Sequence, residues 1–428
     1  MFSDALRVGR AAGLAGCVML AAGMAWATPT ERSSGPDASL TAVPRTMDPN
    51  VRRQGEKMVE RAIAYLRSQQ DAATGGWSVA KEGPSFPAIS SLVLHGMLLQ
   101  PGLDATDPAI ARGVGFVLSK RQPDGGIYDQ LLPSYNTAIS LSMLTRVSTP
   151  EAKAAIGPAQ QFLRRLQYGE DAVVFDSHKE SAEPVGKEHP FYGGIGYGRH
   201  GRPDLSNLQW VLQALHDSGV PGDDAAFQRA LVFLQRTQMV EEFNGMKIND
   251  MPYAKGSSQG GFIYATAVNS QTVGQGQSQA TEPVEETLSD GTKVSRLRAY
   301  GSMTYAGFKS YIHADLKKDD PRVLAALQWI CENYTLSENP GIGTDGYYYY
   351  LVTFSRALAA FGQQRLNVVT EAGKREDVNW RDDLVRELAK LQQSDGSFRS
   401  VDDRWMENNS VLITAYSLLA LQEALRSS

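Results

Sequence analysis

Three polar residues, Asp204, Ser206 and Asn207, stand together at the predicted start of a helix. A carboxylate in this position can act as a general acid or base if it faces a substrate. The serine hydroxyl and the asparagine amide can hydrogen-bond a ligand. The same residue types also cap helices by accepting hydrogen bonds from first-turn amides. We therefore take Asp204 as a candidate catalytic residue and Ser206 and Asn207 as candidate ligand-binding residues, with helix capping as the alternative.

A second candidate group is built around tyrosines that stand at or near the starts of predicted helices. Its candidate ligand-binding residues are Tyr135, Asn136, Tyr305, Tyr347 and Asn408. Tyrosine rings suit apolar chains, cations and sugar faces alike, so they do not choose between ligand classes. The alternative is packing between helices. Of the four consecutive tyrosines at 347–350, helical geometry lets only one or two point the same way.

No metal site is predicted. His178, His189 and His200 lie in one short acidic region, but their spacings match no compact ligand motif. Cys331 stands within an apolar helix and is interpreted as a small core residue. We therefore expect neither a metal nor another cofactor.

The candidate residues must be positioned by a repeat that we find six times in the chain. In each copy a helix ends on a glutamine or a degenerate equivalent, a glycine turn follows, and a second apolar helix begins. The clearest copy joins Gln167 to Gly193-Gly194 and then to the helix that Asp204 opens. In the sixth copy the glutamine is assigned to Gln393, five residues after Leu388. A recurring unit of this kind predicts a helical repeat architecture, here twelve helices in six hairpins.

Capping residues mark where the first helix of each hairpin starts. Four of them precede a proline, whose fixed φ suits the first helical position. These four starts are Asp48-Pro49, Asp107-Pro108, Thr149-Pro150 and Asp320-Pro321, while Asp223 or Asp224 and Asn379 open the remaining two.

The uneven spacing of the copies predicts insertions at 168–192, 239–259 and 265–298. All three lie in the connection within a helix hairpin. Equivalent loops of a solenoid or ring emerge on one face, so we expect the insertions to crowd one rim. Within the last insertion Asp290-Gly291 stands between short alternating runs, which predicts a small β-hairpin.

The N-terminus is typical of an export signal. Arg7 and Arg10 precede an apolar run that ends in Ala25-Trp26-Ala27. We predict a signal peptide at 1–27, a flexible linker at 28–47 and a repeat domain at 48–428, with lipidation at Cys17 as the alternative. The mature protein is then periplasmic or extracellular, without an integral membrane span.

Composition excludes one class of partner. The 428 residues contain 42 Lys and Arg against 47 Asp and Glu, so there is no basic excess to hold a phosphate backbone. Nucleic acid is not expected as a partner. With 42% hydrophobic residues, the chain can bury a large core.

The repeat resembles the QW-type repeats of squalene and oxidosqualene cyclases and of protein prenyltransferase β subunits. The stretches that carry this resemblance are YLRSQQDAATGGW, LSKRQPDGGIY and LAKLQQSDGSF. It covers the chain from Asp48 onward. It implies an all-α fold, an (α/α)6 toroid in which six helices line a central cavity and six surround them, with one small β-hairpin insertion. Chemistry does not follow from the fold alone.

This sequence lacks residues that each of the family's two reactions requires. Similar class II terpene cyclases protonate an alkene with the middle Asp of Asp-x-Asp-Asp, and Ser206 stands at that place in Asp204-Leu205-Ser206-Asn207. A neutral serine is not acidic enough for this step. Similar prenyltransferases bind zinc through Asp, Cys and His, whereas Asp345-Gly346-Tyr347 has no cysteine and Asn408-Asn409 replaces the histidine.

Three function classes remain open. The first, which we rank highest, is an exported cyclase-like or prenyltransferase-like toroid that binds a hydrophobic ligand, an isoprenoid or another lipid, in a central cavity. The second is a glycan-degrading enzyme, because similar α/α toroids host polysaccharide lyases and hydrolases. The third is a non-catalytic scaffold that uses the insertion-bearing rim. An enzyme of this kind would be a cyclase-like isomerase or a polysaccharide lyase or hydrolase.

Overall fold

The computed structural model describes residues 46–78, 83–171, 184–198, 202–370 and 372–426. The predicted signal peptide, most of the predicted linker, His178 and His200 lie outside these ranges. No helix within them is long and apolar enough to cross a membrane.

The described part of the chain forms twelve α-helices in six hairpins. The first helices of the hairpins are α1 (Pro49–Ser68), α3 (Pro108–Ser119), α5 (Pro150–Arg165), α7 (Ala225–Thr237), α9 (Pro321–Glu332) and α11 (Trp380–Leu391). The second helices are α2 (Pro87–Leu98), α4 (Pro133–Leu144), α6 (Leu205–Asp217), α8 (Gly301–His313), α10 (Tyr347–Phe361) and α12 (Ser410–Leu425).

The second helices form a closed inner ring. Each packs on the next, and α12 packs on α2. The first helices surround this ring, and α1 closes the outer layer against α11 and α12. The inner helices are buried on nearly every side, whereas the outer helices bury one apolar stripe. The predicted (α/α)6 toroid is therefore confirmed. We call the face at which the inner helices begin the mouth, and the face at which they end the base.

The sequence signals for the outer helix starts are confirmed. Each of the six capping side chains accepts a hydrogen bond from a first-turn amide, and a proline follows four of them. The caps are Asp48, Asp107, Thr149, Asp224, Asp320 and Asn379.

The repeated glutamine links neighbouring hairpins. Gln238 is fully buried, and its Nε2 donates to the carbonyl of Gly260 at 2.9 Å and to that of Arg322, on α9, at 3.0 Å. Gln70 and Gln167 make the equivalent pairs of bonds in their repeats. Each of these three glutamines therefore ties its own glycine turn to the next outer helix, whereas Gln122 of the second repeat donates only to the carbonyls of Lys120 and Tyr128.

The structure corrects the predicted register of the sixth repeat. Gln392, and not Gln393, donates to the carbonyl of Gly396 at 3.1 Å and to that of Met58, on α1, at 2.9 Å. The side chain of Gln393 is bonded locally, to the carbonyl of Leu391. The reason lies in the backbone, because in the sixth repeat, as in the fourth, the linking glutamine is the extended residue that directly follows its helix.

The described residues contain three two-stranded antiparallel sheets. The predicted hairpin is confirmed as β3 (Val284–Thr287) paired with β4 (Lys293–Arg296), with Gly291 at a φ of 85° in its turn. The other two were not predicted. They are β1 (Glu242–Phe243) with β2 (Met246–Lys247), and β5 (Arg365–Val369) with β6 (Arg375–Asn379), which joins α10 to α11.

Candidate functional site

A cluster of hydroxyl groups lies at the mouth, where three inner helices begin. Ser206, in the first turn of α6, is hydrogen-bonded through Oγ to the hydroxyl of Tyr135 on α4 and, at 2.8 Å, to that of Tyr349 on α10. The Nε2 of Gln209, one turn further along α6, donates to the Tyr349 hydroxyl at 3.0 Å. We call Ser206, Tyr135 and Tyr349 the hydroxyl cluster.

This cluster crosses the inside of the ring. Helix α8 stands between α6 and α10 in the ring, so the bond from Ser206 to Tyr349 joins helices that are not neighbours. Burial raises the pKa of Tyr349 to about 12 and also raises that of Tyr135, so both phenols are neutral near pH 7. The cluster can therefore donate and accept hydrogen bonds, but it carries no charge.

Tyr349 is held in place by a buried carboxylate. Glu407 lies just before α12 and accepts hydrogen bonds from the amides of Tyr349 at 2.8 Å and Tyr348 at 3.1 Å. It thereby satisfies free amides at the start of α10. Burial raises the pKa of Glu407 to about 7, and the two amide bonds oppose that rise.

Asp204 is placed as the N-terminal cap of α6. Its Oδ1 accepts from the amide of Asn207 and its Oδ2 from the side chain of Asn207, both at 2.9 Å. The side chain is fully buried. Arg202 Nη1 is 3.9 Å from Oδ2, too far for a hydrogen bond. Burial raises the pKa of Asp204 from 3.8 to about 6, even though the Asn207 bonds lower it.

Asp204→Asn should change how stability depends on pH. Because folding raises the pKa of Asp204, the stability that this carboxyl contributes is full below about pH 4 and is lost as the pH rises through about 6. The free energy of unfolding of the wild type minus that of Asp204→Asn should therefore fall by about 2 kcal/mol between pH 4 and pH 7. Urea unfolding of both proteins at several pH values measures this difference, in which contributions from histidines cancel. A difference that stays flat or grows with pH would contradict the assignment.

Two further tyrosines extend the site towards solvent. The Tyr197 ring stacks on that of Tyr135 with centroids 5.8 Å apart, and its hydroxyl is 2.9 Å from that of Tyr264. The guanidinium of Arg202 lies over the Tyr264 ring at 5.0 Å. Tyr197 is 37% exposed, so the aromatic surface continues from the buried cluster to the outside.

Large apolar side chains surround the mouth. The exposed ones among the described residues, which we call the collar, are Leu131, Leu132, Tyr197, Val268, Val401, Trp405 and Met406. Every one belongs to a connection that leads from a glycine turn to the start of an inner helix. Leu132, Trp405 and Met406 also have positive φ, which is strained for side chains of this size. A group of exposed apolar residues on one face is typical of a binding surface.

The inside of the ring below the hydroxyl cluster is polar. Lys309 Nζ donates to Gln209 Oε1 at 2.6 Å, and His313 lies 3.3 Å from Gln213. Nearer the base, Arg356 on α10 approaches Asp217 on α6 at 3.6 Å. The interior is therefore unsuited to a long hydrocarbon chain, because such a chain offers these polar groups no hydrogen bonds.

The structure brings only some of the candidate residues together. Asp204, Ser206, Asn207 and Tyr135 lie around the start of α6, and Ser134 donates to Asn207 Oδ1 at 2.7 Å. Asn136 is also buried, but it holds the connection before α4 by accepting from the amide of Ala88 and donating to the carbonyls of Leu131 and Leu132.

The remaining three candidates do not join the hydroxyl cluster. Tyr305 packs against Phe354 with centroids 5.0 Å apart. Tyr347 donates to the carbonyl of Leu336 at 2.5 Å. Asn408 is exposed beside the buried Glu407. Of the four consecutive tyrosines, Tyr349 is the one whose hydroxyl reaches Ser206, which the sequence could not single out because all four are identical.

Within the described ranges, no group of three or more His, Cys, Asp or Glu residues could hold a metal ion. His189 accepts a hydrogen bond from the amide of Phe191 at 3.1 Å. Cys331 is half-buried in α9, and burial raises the pKa of its thiol.

Comparison with known proteins identifies the fold. Among solved structures, a variant of the type II terpene cyclase MstE from Scytonema, in complex with geranylgeranyl dihydroxybenzoate, matches with a TM-score of 0.50 at 14% identity, over 88% of this chain and 98% of that one. The α-1,6-mannanase GH76A of Salegentibacter matches with a TM-score of 0.51 at 10% identity, over 87% of this chain and 98% of that one. An inactive variant of this mannanase in complex with α-1,6-mannotriose matches equally well.

No protein-family model and no curated protein matches the sequence. The chain therefore has the α/α toroid fold found in terpene cyclases and α-1,6-mannanases. At 10–14% identity these likenesses establish the fold, and the chemistry must be argued from this chain's own residues.

Proposed function

We propose that this protein binds a hydrophobic small molecule, an isoprenoid or another lipid, at the mouth of the toroid. The observation that carries the proposal is the collar, since all the exposed large apolar side chains of the described residues lie in connections that lead to inner-helix starts at this face. Five of the seven are aliphatic, and an aliphatic surface offers apolar contact without hydrogen bonds.

The hydroxyl cluster is suited to the polar end of such a molecule. Ser206, Tyr135 and Tyr349 are neutral donors and acceptors, and they lie at the point where the apolar collar gives way to the polar interior. The apolar part of the ligand then stays at the mouth, because Lys309 and its neighbours below are polar. Export of the protein is part of the proposal and is supported by the residue pattern at 1–27.

We further propose that the site does not protonate an alkene. Asp204 remains the nearest candidate acid, but both of its oxygens are occupied by Asn207. In the described residues, the hydrogen bonds made by the hydroxyl groups of the cluster go to its own members and to Gln209, and none goes to a carboxylate. Purified protein should therefore leave squalene unchanged.

A glycan is the second candidate ligand. Tyr197 and Trp405 expose aromatic faces at the mouth, on which sugar rings can stack. A polysaccharide-degrading enzyme would also need a pair of carboxyl groups facing one cleft. Asp204 and Glu407 are buried and accept hydrogen bonds from amides at helix starts, which supports the lipid ligand over the glycan.

Titration with farnesol, an isoprenoid alcohol, tests the proposal. Leu131→Ser removes a side chain that is 64% exposed at the collar and should weaken farnesol affinity about tenfold, because the lost apolar contact contributes about 1.4 kcal/mol. Ser206→Ala should weaken it about fivefold through the lost hydrogen bond. Gln54→Ser, on the exposed face of α1, is the control and should bind like the wild type. Farnesol affinity that is the same in all four proteins would contradict the proposed site.

A further inference from the structure

Two buried cations lie inside the ring with hydrogen-bonding capacity left over. Lys309 is 1% exposed, and the one hydrogen bond of its Nζ within the described residues goes to Gln209 Oε1. Arg356 is 5% exposed, and its Nη1 is buried without a hydrogen-bond partner in the same ranges. Both cations lie over the ring of Trp210, at 5.6 Å and 5.3 Å from its centroid. The three residues come from α8, α10 and α6, so they meet in the interior.

Two neighbouring carboxylates form ion pairs with Arg356 but no hydrogen bond to it. Asp217 Oδ2 is 3.6 Å from Arg356 Nη2, and Glu423 Oε1 is 3.9 Å from Arg356 Nε, and both distances exceed that of a hydrogen bond. Glu423 is paired instead with Arg426, at 3.0 Å. The indole Nε1 of Trp210 is also buried without a partner among the described residues.

Burying these donors without acceptors is costly unless another molecule or ion supplies the acceptors. A buried donor without an acceptor costs about 1–3 kcal/mol, and a native structure that keeps one commonly satisfies it with water, an ion or a ligand. Burial, and after it the charge of Arg356, also lower the pKa of Lys309 well below its usual range, although Asp217 and Glu423 raise it. An acceptor that carries negative charge would relieve both costs at once.

We propose that the interior of the toroid contains a second binding site, for an oxyanion held by Lys309 and Arg356, with the Trp210 indole as a further donor. Phosphate and carboxylate groups share the required chemistry. This site is separate from the collar and does not depend on the lipid ligand.

Basic side chains lie at the base of the toroid. Arg146, His216 and Arg426 are exposed there, and Arg146 Nε is bonded to the buried His95 at 2.9 Å. Arg426 is paired with Glu423 at 3.0 Å, and His216 lies 3.7 Å from Asp217. Arg146 adds positive charge at this end of the ring, which favours the approach of an anion over that of a cation.

Calorimetric titration with inorganic phosphate and with acetate, each against chloride at equal ionic strength, tests the proposal. We expect binding of at least one of the two oxyanions and a melting temperature that rises with its concentration, as linkage requires. Lys309→Met should weaken that binding at least tenfold. Lys390→Met, the same substitution on the exposed face of α11, should leave it unchanged.

Trp210→Phe keeps an aromatic ring beside the two cations but removes the indole donor, so it provides a second test if Lys309→Met fails to fold. We expect it to weaken oxyanion binding severalfold while leaving farnesol binding at the mouth intact. The proposal is overturned if neither oxyanion binds beyond the chloride baseline, or if binding is equal in the wild type, Lys309→Met and Trp210→Phe. Because farnesol is titrated separately, failure of this site and failure of the collar site are distinguishable.

Discussion

Gly193→Ala should lower the free energy of unfolding by about 4 kcal/mol, far more than Gly219→Ala. Gly193 has a φ of 79°, and a β-carbon there would lie 1.9 Å from the carbonyl oxygen of Arg229 on α7. That oxygen belongs to helix backbone and cannot move aside without disturbing the helix. The substitution therefore combines a left-handed backbone penalty with a steric clash at the contact between two repeats.

Gly219→Ala is the matched control. Its φ is 83°, but a β-carbon there would meet nothing within 4 Å. The control should therefore lose only the left-handed penalty, about 1 kcal/mol. Urea unfolding of both variants measures the difference. Equal losses would mean that the glycine turns do not set the packing of the ring.

Gln392→Ala should lower the free energy of unfolding by about 3 kcal/mol, since it removes two hydrogen bonds to backbone carbonyls. One of those carbonyls belongs to Met58, on the first helix of the chain, so this glutamine ties the last repeat to the first. The matched change Gln393→Ala, one residue further on, should lower it by less than about 0.5 kcal/mol, because that side chain is exposed. The reverse order of the two effects would restore the register expected from the sequence and contradict the structure.

Local chemistry made most of the fold predictable. A capping residue before proline fixes a helix start through bonds within one turn, so Asp48, Asp107, Thr149 and Asp320 could be assigned without tertiary information. The register of the sixth repeat could not be assigned in this way, because Gln392 and Gln393 are chemically the same. Only the backbone beyond Leu391 decides which of them faces α1.

The site was less predictable than the fold. The start of α6 was found, since Asp204 and Asn207 have the sequence signature of a helix cap. Tyr135, one partner of Ser206, was also among the candidates. Tyr349 was not, because its hydroxyl reaches Ser206 across the ring from a residue 143 positions away in sequence. Lys309 gave no signal in the sequence, since a lysine inside an apolar helix shows neither its burial nor its neighbours.

The collar was missed for a different reason. Single exposed residues such as Leu131 and Val401 are ordinary in any loop. They become informative only when the ring places the connections from several repeats around one opening. This is the observation on which the proposed ligand depends, and it is a property of the closed toroid.

Native mass spectrometry of the wild type, offered farnesol and mannotriose together at equal concentration, tests the proposed function most directly. We expect one farnesol bound to each chain, an occupancy that is reduced in Leu131→Ser and unchanged in Gln54→Ser, with no mannotriose adduct. Binding of mannotriose in place of farnesol would contradict the proposal of a lipid ligand and support a glycan as the ligand at the mouth.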